Sequence, residues 1–290
     1  MSTFCPREHA RTISDQLHTA VLAAHAAGVI IREGSAKLNV VEQKGVGDLV
    51  SEVDREADRV ACDILRADSD LPILSEELNA DQTTSNDMWI VDPLDGSSAY
   101  LMSAGPHFPA ALIALRENGS TRLGVVYFPL TDQWFYAERN CGAWHNGQRL
   151  RCDTGDSLSD VWVEMNQYGD ATLETEYFRN LKERLRSNQG ARMVTSTVPH
   201  SGVAMRIAVG DSLLAAAVHD NNPTCTKQAA WDIAAPQIVM EEAGGVFLNP
   251  DGEPSNPFES RPIIVARSLE LAQEIIGLST ELPTEIQTAN

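Results

Sequence analysis

Leu17, Val21, Ala24, Gly28 and Ile31 fall on one helical face, a spacing that predicts an amphipathic helix over about 14–33. The turn-rich run Lys44-Gly45-Val46-Gly47 follows, and a second helix is expected from about Ser51, with Val53, Ala57, Val60 and Ile64 as its apolar stripe. The signal then changes to short apolar runs bounded by breakers. Segments 71–74, 88–91, 110–115, 123–128 and 134–137 each predict a strand, and Asn146-Gly147 predicts a tight hairpin turn.

Beyond residue 150 the pattern alternates. Strands are expected at 161–165, 192–195, 213–218, 246–248 and 263–266, and helices at about 173–186, 203–209, 231–243 and 269–277. Strands bunched first and alternation later predict an α+β half over 1–150 followed by an α/β half over 151–290. The polar stretch at 150–159 marks the boundary, and 281–290 is expected to fray.

Charge narrows the function. Lys plus Arg number 22 and Asp plus Glu 41, a net charge of −19 that argues against nucleic-acid polymers and anionic membrane surfaces as partners. No stretch approaches the roughly 18 apolar residues of a membrane helix, and the first 16 residues carry no apolar signal core. The five cysteines, Cys5, Cys62, Cys141, Cys152 and Cys225, form no C-x-x-C pair, so a reducing cytoplasm is the expected compartment. Cys62 and Cys141 are expected to fill apolar space.

The acids carry the candidate chemistry. Glu76 and Glu77 end the apolar run Ile73-Leu74-Ser75. The strand Trp89-Ile90-Val91 runs into Asp92, turns at Pro93-Leu94, presents Asp95 and passes through Gly96 into Ser97 and Ser98. Asp232 stands in the first turn of an apolar helix after Trp231. Acids converging at element ends repel one another unless a cation lies between them. Hard oxygen donors without Cys or His select Mg²⁺, completed by substrate phosphate. Gly96, Ser97 and Ser98 would offer N–H groups to that phosphate. Each acid also has a plainer reading. Ser51 and Asp54 fit a capping box, Asp232 a helix-dipole partner, Glu76-Glu77 a solvated turn, and Asp92 to Gly96 a type I turn. All four motifs in this order favour the site.

Over about 24–266 the chain resembles the lithium-sensitive, Mg²⁺-dependent phosphatases typified by inositol monophosphatase, with the bisphosphate nucleotidases and a class of fructose-1,6-bisphosphatases. The resemblance rests on Asp48-Leu49-Val50-Ser51-Glu52-Val53-Asp54, Ser75-Glu76-Glu77, the run from Asp92 to Ser98, Gly124-Val125-Val126-Tyr127, the Gly142 to Gly147 stretch, and the stretch from Trp231 to Gly245. It implies a layered α-β-α-β-α sandwich. It also implies that Glu76, Asp92, the Leu94 carbonyl, Asp95 and Asp232 ligate two or three Mg²⁺ ions. Asp54, Glu76 and Ser97 would be catalytic, orienting the attacking water, and Gly96, Ser97 and Ser98 would bind the phosphate. Glu77 would support its neighbour.

Departures fall mostly on the substrate side. Ser75 replaces a common Gly, Ser97 a common Thr, and Pro236 a Gly. Members that grip inositol carry a Glu seven residues before the last ligand Asp, where this chain has Cys225. Lys227 is a candidate partner for a second phosphate, with a solvated surface Lys as the alternative. The stretch 101–105 is longer than usual, and Val198-Pro199-His200 replaces Val-Gly-Thr. No role is assigned to His107, His145, His200 or His219. The expected activity is hydrolysis of a small-molecule phosphomonoester, with a bisphosphate nucleotidase or sugar bisphosphatase as the alternative and a silent phosphate- or metal-binding protein as the non-enzyme reading. A homodimer is compatible with all of these.

Overall fold

The computed structural model describes residues 13–35, 41–45, 48–79, 85–101, 109–152, 157–167, 174–187, 192–196, 199–210, 214–220, 230–259 and 261–280. The chain begins with helix α1 (Asp15–Gly34), hairpin strands β1 (Val41–Gly45) and β2 (Asp48–Ser51), and helix α2 (Glu52–Asp68). Strand β3 (Ile73–Ser75), the one-turn α3 (Glu76–Asn79), β4 (Met88–Asp95) and α4 (Ser97–Leu101) follow. The strands β5 (Ala110–Glu117), β6 (Ser120–Phe128), β7 (Gln133–Glu138), β8 (Gly142–His145) and β9 (Gln148–Leu150) complete a seven-stranded sheet in simple chain order. Only β3 and β4 pair parallel in it.

The second half supplies β10 (Trp162–Gln167), α5 (Glu176–Ser187), β11 (Arg192–Ser196), α6 (His200–Ala208), β12 (Leu214–Asp220), α7 (Ala230–Ala243), β13 (Val246–Leu248), β14 (Ile263–Ala266) and α8 (Leu269–Thr280). Its five strands order as β11-β10-β12-β14-β13, with β10 parallel to both neighbours.

Period-two alternation stacks these elements. Trp89, Val91, Ile113, Val125 and Tyr136 point to one face of the large sheet and pack with Leu17, Ala24, Ala57 and Leu65 of α1 and α2. Ile90, Leu112, Val126 and Phe135 point to the other face and meet Ile233, Ile238 and Val239 of α7, together with Ala217 and Val265 of the small sheet. Val163, Val218 and Ile264 face outward against Phe178 and Leu181 of α5 and Leu271 and Ile275 of α8. The result is the α-β-α-β-α layering that the family resemblance implies.

Several elements differ from the sequence expectation. The hairpin β1–β2 occupies the region expected to be only turn-rich, because strands this short carry no readable period. β8 and β9 are equally short, although the turn that joins them is legible: Asn146 and Gly147 have φ of 47° and 80°, as a two-residue hairpin demands. Helix α6 starts at His200 rather than 203. Cys141 is exposed, contrary to its expected apolar burial, because it lies in the turn after the left-handed Asn140. Trp89 is fully buried and Trp231 nearly so.

One glycine decides how closely α7 approaches the large sheet. A Cβ at Gly124 would lie 2.9 Å from the Ala235 Cα and carbonyl oxygen and 2.5 Å from Ile238 Cγ2. Backbone cannot yield as a side chain can. Gly124→Ala is therefore expected to destabilise by about 1–3 kcal/mol in urea unfolding. Gly277→Ala, where nothing lies within 4 Å of the new Cβ in a helix, should be neutral or slightly stabilising. Equal effects at the two positions would refute this account.

Candidate active site

Strand pairing gathers the first acids. The parallel register Ile73↔Trp89, Leu74↔Ile90, Ser75↔Val91 runs on to set Glu76 beside Asp92. In a regular strand Asp92 and Asp95 would point to opposite faces. The pairing Asp92↔Leu112 and Asp95↔Ala110 sets three steps of β4 against two of β5, a bulge that contains Pro93. Proline has no N–H for the ladder, so a bulge is where a buried strand can hold one. The bulge extends β4 to Asp95, past the expected end at Val91. The Leu94 N–H turns back to Asp92 Oδ1 at 3.0 Å.

From the other half, α7 brings Asp232 in its first turn. Oxygen atoms of Asp92, Asp95 and Asp232 lie within 4.8 Å of one another. α7 continues through Pro236, so that substitution leaves Asp232 in place; Pro236 offers no N–H to the Asp232 carbonyl.

The Asp54 cluster stands alongside. Ser51 caps α2, and its backbone N–H and hydroxyl both donate to Asp54 Oδ2, at 2.8 and 2.6 Å. This is the capping box, and it leaves Asp54 Oδ1 for the Ser97 hydroxyl at 2.6 Å. Ser97 Oγ also lies 2.9 Å from the Leu94 carbonyl oxygen. The cap uses one carboxylate oxygen of Asp54 and the Ser97 contact the other, so the capping box leaves the expected site role open. Gly96, at φ 86°, makes the left-handed step from β4 into α4, which a side chain would strain, and Ser98 sits in the first turn of α4.

One residue not singled out in the sequence joins the site. The Ser201 hydroxyl and backbone N–H, in the first turn of α6, both donate to Asp95. Pro199 before small residues does signal a helix start, but not which acid it will face. Behind Ser201, His200 and the fully buried His219 meet edge to face at 4.3 Å. Burial pushes His200 down to about 4, and burial with the neighbouring His200 pushes His219 well below the usual imidazole range. Both rings are neutral at physiological pH. Cys225 and Lys227 lie outside the described residues, as do 102–108.

The acids are held in an unfavourable state. Burial, then Glu76, Asp95 and Asp232, raise Asp92 well above the carboxylate range. Burial and Asp232 push Asp95 up to about 8, against the lowering effect of Ser201. Asp92 Oδ2 is buried with no donor among the described residues. A carboxylate oxygen without a donor, facing other carboxylates, fits a divalent cation with oxygen preference.

A pH dependence follows. The native state holds Asp95 protonated at pH values where the unfolded chain has released it, so this stability is present below about 3.8 and lost as pH rises through about 8. The depressed His200 and His219 act oppositely, but only below their ordinary 6.5. Between pH 6.5 and 8, metal-free stability should therefore fall with rising pH by up to about 1.4 kcal/mol per unit for each extra proton held. Thermal unfolding in EDTA across that window measures it. A flat or rising Tm would contradict the clustering of acids.

Comparison with known proteins places the whole fold among solved and curated relatives. The model of the inositol monophosphatase family matches residues 14–283. The fructose-1,6-bisphosphatase/inositol-1-monophosphatase of Thermotoga maritima is 30% identical over 256 residues, 86% of this chain and 89% of that protein. The Nus factor SuhB of Escherichia coli K12 is 31% identical over 234 residues, 79% and 83% of the two chains. The crystal structure of the extragenic suppressor protein suhB from Bartonella henselae aligns with a TM-score of 0.78 at 25% identity, covering 92% of this chain and 99% of that one.

Proposed function

We propose that this protein, which belongs to the inositol monophosphatase family of phosphatase-type hydrolases, hydrolyses a small-molecule phosphomonoester with Mg²⁺. The observation that carries the reading is the convergence of Asp92, Asp95 and Asp232 within 4.8 Å, next to the Asp54–Ser97 pair. Glu76, Asp92, the Leu94 carbonyl, Asp95 and Asp232 would hold two or three ions. Bound Mg²⁺ would supply Lewis-acid polarisation of the phosphate and a lowered pKa for the attacking water.

The chain's own groups do the rest. Ser97 donates its proton to Asp54, which leaves a lone pair on Oγ to accept from and orient a water molecule. As that water attacks phosphorus, its proton passes to Ser97 Oγ while the Ser97 proton passes to Asp54. The N–H groups of Gly96, Ser97 and Ser98 would receive phosphate oxygens at the left-handed step out of β4. No carboxylate is needed as a nucleophile, so Asp95 is read as a ligand.

Substrate choice is the finer question. With Cys225 in place of an acid that would accept polyol protons, weak selectivity for inositol monophosphate over other phosphomonoesters is proposed, and Lys227 is the proposed contact for a second phosphate. Among the described residues no helix is long and apolar enough to cross a membrane.

Phosphate release from inositol phosphate, adenosine bisphosphate and fructose bisphosphate, with Mg²⁺ or with EDTA, tests the proposal. Activity on at least one substrate is expected, lost in EDTA and restored by Mg²⁺. Asp95→Asn should lower kcat by at least about 10³-fold, roughly 4 kcal/mol of transition-state stabilisation, while the metal-free Tm holds or rises. Full turnover by that variant, or turnover unchanged by EDTA, would sink the reading.

A further inference from the structure

The proposed reaction leaves one fully buried acid of the first half unused. Asp58 lies one turn beyond Asp54 on α2, in the apolar layer between the helices and the large sheet. Its carboxylate gathers four donors. The Ser75 hydroxyl bonds Oδ2, the Cys62 thiol bonds Oδ1 at 3.3 Å, and the backbone N–H groups of Glu77 and Leu78 also donate to it. Ser75 ends β3, and Glu77 and Leu78 belong to α3. These donors therefore bracket one residue, Glu76, on both sides.

That residue needs restraint. Glu76 stands beside Asp92, and its charge is the largest electrostatic contribution among those that oppose ionisation of Asp92. With like charges so close, a one-turn helix on a three-residue strand would swing its carboxylate toward solvent unless its backbone were tied down. The tie reaches it from α2, the helix that also carries Asp54. An apolar side chain at 58 would pack in this layer at lower desolvation cost but would supply no acceptor for the strand–helix junction.

We propose that Asp58 is a positioning residue, fixing the backbone on both sides of Glu76 so that the Glu76 carboxylate stays on the Asp92 side and binds Mg²⁺. This rests on the reading of Glu76 as a metal-holding residue. An account in which Asp58 merely caps α3 predicts lost stability and unchanged metal affinity.

Isothermal titration of the full chain with Mg²⁺ separates the two. Asp58→Asn keeps the shape and weakens the acceptor. It is expected to raise the Mg²⁺ dissociation constant about tenfold while kcat at saturating Mg²⁺ stays within about threefold of wild type. On a Glu76→Gln background, which should itself weaken Mg²⁺ binding, Asp58→Asn should add less than about twofold, because both changes act through one carboxylate. Should Asp58→Asn fail to fold, Ser75→Ala removes one donor and is expected to weaken binding about threefold. Wild-type Mg²⁺ affinity in Asp58→Asn (or in Ser75→Ala, if the first variant does not fold) overturns the proposal when Glu76→Gln is weakened. Wild-type affinity in Glu76→Gln overturns the underlying reading of Glu76, and the proposal with it.

Discussion

Mutual repulsion among buried carboxylates is the constraint on which the rest of this architecture depends. Asp92 and Asp95 are almost inaccessible to water, and Asp232 faces both. Left alone, such a group relaxes by separating or by taking up protons, and the raised pKa values of Asp92 and Asp95 show the second response. Separation is blocked because each acid is fixed to a packed element. Asp92 and Asp95 sit on a strand whose eight residues are all buried, and Asp232 on a helix pressed against Gly124. The fold holds an unfavourable arrangement that a bound cation would relieve.

Each layer contributes a different part of that arrangement. The large sheet sets two acids on one side of β4 through a bulge, and its parallel edge brings Glu76 alongside. The outer helix layer supplies Asp54, already ordered by its own cap, and passes it to Ser97. The middle layer supplies Asp232 from α7 and, from the first turn of α6, the hydroxyl and N–H of Ser201. Those two donors lower the pKa of Asp95, and they come from the end of a helix where partial positive charge accumulates.

The same layering shows how a chain of net charge −19 could serve the anionic substrate proposed for it. The ion pairs of Arg59 with Glu56 and Asp63 lie on exposed surface and contribute little. Acidic groups converge at the buried cluster, where a bound cation would reverse the local sign. The neutral His200–His219 pair next to Ser201 adds no cation there, so in the proposed reaction attraction for phosphate would fall to the metal and to backbone N–H groups.

Much of this was legible along the chain. The short apolar runs marked β4 to β7 as strands, the family resemblance implied the layers that cover them, and the acids at the ends of β3 and β4 marked a candidate site. The capping box at Ser51 and Asp54 was readable because its partners are three residues apart. What local pattern did not reveal were contacts between distant segments. Ser201 reaches Asp95 across 106 residues, and Asp58 reaches Ser75 across 17 and between different elements. Such meetings depend on strand register, on a bulge and on one missing Cβ at Gly124. Periodicity records which face of an element is buried, but not what will be buried against it, because that is settled only when the layers pack.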